Sequence, residues 1–92
     1  MGIAVDSRRP QARGKTQTEL RTENGRQKRL EDLCARHWQA VFRYALRRTA
    51  NEASAQDVVI ETFAVCWRRL DEVRDPALLW LYGVARRLVA QH

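Results

Sequence analysis

Cysteine occurs only twice in this 92-residue chain, at Cys34 and Cys66. Two cysteines so far apart make neither a disulfide framework nor a zinc cluster. Both fall at apolar positions of helical patterns, which reads them as small core residues of a reducing, cytoplasmic compartment. His37 and His92 have no partners at metal-ligand spacing, so no metal or other cofactor is expected. No apolar run approaches the ~18 residues of a membrane span. The opening "MGIAVDSRRPQARGK" lacks the apolar stretch and cleavage pattern of a secretory signal. There is no Ser/His/Asp set and no glycine loop of the phosphate-cradling kind, so neither an enzyme nor a small-molecule substrate is expected. A chain of this length forms one small domain, burying roughly 60–65% of the surface it exposes when unfolded.

Lysine is scarce too, and here the scarcity is informative because the chain is strongly basic. It carries a formal net charge of +6 with a sequence pI near 10.3. Only Lys15 and Lys28 are lysines; the remaining cations are arginines. A basic protein seeks a polyanion, meaning nucleic acid or an acidic membrane surface. Membrane-surface helices are commonly lysine-rich or lipidated, whereas guanidinium forks fit phosphate in pairs. Nucleic acid is the better fit.

The charge is unevenly spread. Residues 1–29 hold eight cations (Arg8, Arg9, Arg13, Lys15, Arg21, Arg26, Lys28, Arg29) against Asp6, Glu19 and Glu23. That is a net +5, leaving +1 for the rest. With Pro10, Gly14, Gly25 and few apolar residues, this segment reads as a disordered basic arm. It is either a DNA-seeking arm or a solubilising leader.

From Leu30 onward the periodicity is helical. Leu30, Cys34, Trp38, Val41, Phe42, Ala45 and Thr49 recur at three- and four-residue steps, with Arg36, Arg43 and Arg47 opposite. Near "TANEAS", Asn51 and Ser54 are both candidate caps for a second helix, and Asp57 would complete an acidic capping box with Ser54. That helix should run from about Ala55 to about Asp71, burying Val59, Phe63, Cys66, Trp67 and Leu70. Asp57, Glu61, Ala64 and Arg68 fall nearly opposite, with Ile60 to one side. "LDEVRDP" is a short loop. Asp75 then reads as N-cap and Pro76 as the first residue of a third helix. Leu78, Leu81, Val84, Ala85 and Leu88 should face its core; Leu79, Trp80, Gly83, Arg86 and Arg87 fall on the other side. No stretch alternates like a strand. The expected fold is all-α, a small bundle of three main helices over residues 30–92, with room for one short extra turn.

The ordered set "YALRRT", "QDVVIETF", "CWRRLDEVRDP" and "WLYGVARRL" resembles region two of bacterial sigma factors of the extracytoplasmic-function type, within the sigma-70 family. The resemblance covers about Leu30 to His92. It implies a helical module that docks on the clamp helices of RNA polymerase and recognises and melts the minus-ten promoter element. By this likeness Asp57, Ile60, Glu61 and Ala64 form the polymerase-binding face. Arg68, Arg69, Arg74, Asp75, Trp80, Tyr82, Arg86 and Arg87 form the DNA-binding side, where the loop Asp71 to Asp75 would capture a flipped base of the non-template strand. Two positions depart from the common "AEDVVQETF": Gln56 stands for a glutamate and Ile60 for a glutamine. The second replaces a hydrogen-bonding group with an apolar one at a polymerase contact. The resemblance also allows an anti-sigma partner. The family's second helical domain, region four, has no counterpart in this sequence.

Bland readings stand beside these. The acidic face is either a docking surface or a solvated helix face. Arg68 and Arg69 either follow a DNA strand or pair with Asp71 and Glu72, and Tyr82 either stacks on a base or packs internally. A sigma-like adaptor that binds polymerase or a regulator without promoter recognition is the alternative function. A helix-turn-helix duplex reader fits less well, because the third helix opens with apolar residues.

Overall fold

The computed structural model describes residues 17–91, with side chains from residue 21 onward. Three α-helices and one short 3₁₀ turn make up the described chain: α1 (Gln17–Arg48), α2 (Glu52–Arg68), the turn (Leu70–Glu72) and α3 (Ala77–Ala90). Each helix packs against the other two. No strand occurs among the described residues, in agreement with the all-α expectation.

The core forms where the apolar stripes meet. Helix α2 supplies Ala55, Val58, Val59, Thr62, Phe63 and Cys66, a pattern of three- and four-residue steps that keeps one face inward. Val41 and Ala45 from α1, Leu70 from the turn, and Leu81 and Ala85 from α3 close it. Thr62 is the one fully buried polar side chain among the described residues; its Oγ1 donates to the Val58 carbonyl at 2.7 Å, so the hydroxyl is not left unpaired. The inward arc of α2 is rotated toward Val58 and Thr62 relative to the expected one, which carries Trp67 out of the core. Trp67 is 39% exposed, against the expectation of burial. Trp38, also expected inside, is half-exposed and stacks on Phe63 with ring centroids 5.2 Å apart. Leu33, not expected inside, is buried instead.

The largest departure is at the start of α1. Residues 1–16 of the expected disordered arm lie outside the described residues, but 17–29 are helical. Long-range contacts account for the extra turns. Arg26 forms an ion pair with Asp71 at 3.1 Å and donates to the Trp67 carbonyl at 3.1 Å. Its guanidinium also lies 5.1 Å from the centre of the Trp67 ring. Arg29 donates to the carbonyls of Leu70 and Val73, each at 3.2 Å. The end of a helix leaves carbonyls without intrahelical partners. Here α1 supplies donors to the end of α2 and to the chain that follows it.

Boundary chemistry selects between the two expected caps of α2 and differs from expectation at α3. Asn51, not Ser54, caps α2: its side-chain oxygen accepts from the Ser54 backbone N–H at 2.8 Å. The helix therefore starts one turn early and the Ser54–Asp57 box does not form. Helix α3 begins at Ala77 with an extended Pro76 ahead of it (φ −78, ψ 128), so Asp75 sits too far back to cap it.

Candidate functional site

The outward face of α2 is acidic and unpaired. Asp57, Ile60 and Glu61 are exposed and Ala64 is half-buried. Asp57 and Glu61 stand at i and i+4, so their carboxylates repel along one face. No cation lies within ion-pair distance of either among the described residues. Ile60 is 57% exposed, which places a branched apolar side chain beside the two acids. This face is held rigidly, because the opposite stripe of the same helix is the core.

The expected DNA-binding residues fall into two groups. Arg68, Arg74, Asp75, Arg86 and Arg87 are exposed, with no ion-pair partner for any of them among the described residues. Arg69 is engaged: its Nη2 donates to Glu72 at 2.7 Å and its Nε to the same oxygen at 3.1 Å. The Arg69 hydrogen bond holds the Glu72 carboxyl below its ordinary range, and Glu72 in turn raises the guanidinium. Both side chains are about half exposed and face solvent, so the pair contributes little to stability. Arg69 also lies 5.8 Å from the centre of the half-buried Trp80 ring. Trp80 is thus less open than the sequence implied.

Tyr82 is held within the protein as well. Its ring stacks on Tyr44 at 5.1 Å with planes 27° apart. Arg48 sits over Tyr44 at 3.9 Å and donates to the Tyr44 carbonyl at 3.2 Å. The structure brings Trp80, Arg69 and Glu72 together, and separately Tyr82, Tyr44 and Arg48. It does not gather all the expected DNA residues into one cluster.

The loop after α2 is firmer than a free connection. Leu70 and Val73 are buried, so the segment is anchored at both points while Asp71, Glu72, Arg74 and Asp75 face solvent. Asp75 lines an open cleft of about 290 Å³ beside Arg29, Arg36 and His37. Arg26 and Arg29 are the functional-site neighbours that sequence reasoning missed. Their signal was available as arginines one turn apart on a continuing helix, but their charge and a nearby glycine placed them in an arm.

The two cysteines keep the structural role assigned to them. Burial pushes up the thiols of both Cys34 and Cys66, with Glu31 adding to the effect at Cys34. Raised thiols are poor nucleophiles. No group of three or more metal-binding side chains occurs among the described residues. No helix there is long and apolar enough to cross a membrane.

The three-helix scaffold thus presents exposed carboxylates on α2 and exposed guanidinium groups on α2, the following loop and α3. Residues 33–92 match the family described as Sigma-70 region 2, and the chain belongs to that family. It is also similar to the ECF RNA polymerase sigma factor SigL of Mycobacterium tuberculosis, in strains H37Rv and CDC 1551 among others. The identity is 41% over 56 residues, covering 58% of this chain and 32% of each relative. The chain thus spans about a third of the length of the curated relatives it matches. No solved structure matches.

Proposed function

We propose that this chain is a promoter-recognition module for transcription initiation. It docks on the clamp helices of a cytoplasmic bacterial RNA polymerase through Asp57, Ile60, Glu61 and Ala64. It binds the melted non-template strand of the minus-ten element through the loop at Arg74 and Asp75 and through α3. The observation that carries this reading is the exposed, unpaired Asp57–Glu61 pair in a chain of the sigma-70 region 2 family. Two carboxylates one turn apart can each accept from an arginine of a partner helix, and such charge-assisted pairs give register and orientation. Opening of DNA requires no covalent step by the module. It follows from tighter binding to the unpaired strand than to the duplex, which shifts the population toward the open form.

Arg68, Arg86 and Arg87 suit phosphate tracking, and Arg69 beside Trp80 offers a cation next to a ring. Arg69 would exchange Glu72 for a phosphate at small cost, because an exposed pair of this kind is weak. The adaptor reading is favoured by one observation, the exposed Ile60 where an amide would bond polymerase. An anti-sigma protein is a further partner that could cover the same faces.

Capture of core polymerase by the immobilised chain tests docking. Asp57→Arg is expected to lose capture while its helical circular dichroism stays unchanged; undiminished capture by that variant would refute the assignment. Preference for single-stranded minus-ten DNA over duplex then separates promoter module from adaptor, since an adaptor shows none.

A further inference from the structure

The strongest charge feature not used above lies on α1, away from the loop. Arg43, Tyr44, Arg47, Arg48 and Ala40 of α1 and Tyr82 of α3 line an open groove of about 330 Å³. No carboxylate lines it. Arg43 and Arg47 stand at i and i+4, where like charges oppose the helix slightly. Neither has an ion-pair or hydrogen-bonding partner among the described residues.

The ordinary explanation for arginines near a helix C-terminus is that they offset its dipole and bond the last carbonyls. Arg48 does this, donating to the Tyr44 carbonyl. Arg47 also lies in the last turn and shares in offsetting the dipole, without bonding a carbonyl, but that explanation leaves Arg43 unaccounted for. It also leaves the ring pair, since Tyr44 is enclosed by Tyr82 on one face and Arg48 on the other. With both faces of Tyr44 occupied, that ring cannot stack on a base. The groove therefore presents charge without base-reading or base-stacking groups on its α1 wall.

We infer that this groove is a second DNA site, which binds the sugar-phosphate backbone through Arg43 and Arg47 and does not distinguish paired from unpaired strands. The inference rests on the nucleic-acid reading above. Side chains at i and i+4 on a helix are spaced by about 5–6 Å, a distance that lets them reach successive phosphates of one strand. Tyr82 supplies continuity, because Arg86 follows it by one turn on α3 and so shares its side of that helix. An acidic protein surface would need carboxylates at the same spacing and would gain nothing from that continuity.

The test is fluorescence anisotropy with a mixed-sequence single-stranded oligonucleotide and the matching duplex, titrated at several salt concentrations. The full chain is compared with Arg43→Gln/Arg47→Gln, substitutions at exposed helix positions that keep a good helix former. Circular dichroism and the thermal midpoint check that the fold is retained. Each lost phosphate contact lowers the salt slope by about 0.7 on a single strand and about 0.9 on duplex. The double variant is expected to bind both probes about tenfold more weakly near 0.1 M salt, with both slopes reduced by the loss of two contacts.

Unchanged slopes would overturn the inference, and a loss confined to the single strand would overturn its claim about strandedness. Arg86→Ala/Arg87→Ala separates this failure from that of the parent reading. If that variant weakens single-strand binding and the Arg43/Arg47 variant does not, only the second site falls. If the unaltered chain binds neither probe, both readings fall.

Discussion

The two outward sides of this bundle are built differently. The carboxylates on α2 have no internal partners among the described residues, whereas several cations near the turn and α3 are already engaged. Arg69 holds Glu72, Arg26 holds Asp71, and Arg48 covers Tyr44. An unpaired acidic face must find its counter-charges elsewhere, so it can bind a partner without breaking anything first. A side whose cations are partly engaged must exchange weak internal pairs for new ones. That exchange makes binding there more sensitive to the geometry of what arrives.

The sharpest way to break this comparison is a crossed experiment. Glu61→Arg is expected to abolish polymerase capture and leave single-strand DNA affinity unchanged or raised. Arg86→Ala/Arg87→Ala is expected to do the reverse, lowering the salt slope on single-stranded DNA by about 1.4. Loss of both activities in either variant would mean that the sides are not separate. A smaller effect concerns the arginines of α1. Arg29→Ala removes the donor to two carbonyls and should lower the unfolding free energy by about 1.5–3 kcal/mol, the range for hydrogen bonds to charged groups. Urea unfolding checks this, and no change would mean that water replaces the guanidinium without cost. Asn51→Ala should cost about 1 kcal/mol through loss of the α2 cap, read in the same titration.

The smallest effect is that of pH on the Arg69–Glu72 pair. Because the folded Glu72 carboxyl is held below its ordinary value of 4.5, the pair's contribution is fully present above that value. It is lost as pH falls through the lower folded value. Carbon-detected NMR titration of Glu72 should give a midpoint below 4.5 that moves up toward it in Arg69→Ala.

Much of this arrangement could be read from residue order. The three helices, the outward Asp57, Ile60 and Glu61, and the short connection before α3 all follow from apolar spacing and from Pro76. Periodicity sees one helix at a time, however, and the errors arise where helices meet. Trp67 looked buried by its angle on α2, but it stands at the surface, where Arg26 of α1 lies against its ring. Thr62 is not among the expected core residues, yet it is buried, and a bond to its own helix satisfies the hydroxyl. Gly25 helped to hide the start of α1, since a glycine inside a helix costs about 0.5–1 kcal/mol relative to alanine. An added Cβ there would meet nothing within 4 Å, so the glycine is not required by packing. The Tyr44–Tyr82 stack joins residues 38 positions apart and has no local signature.

The contacts of Arg26 and Arg29 bear on where this unit can be cut. The stretch that matches the family begins at residue 33, beyond both arginines. A fragment trimmed to that match would keep every helix that defines the family and lose the staple that fastens the turn after α2. The piece recognisable by likeness is therefore shorter than the piece that carries the contacts of that turn.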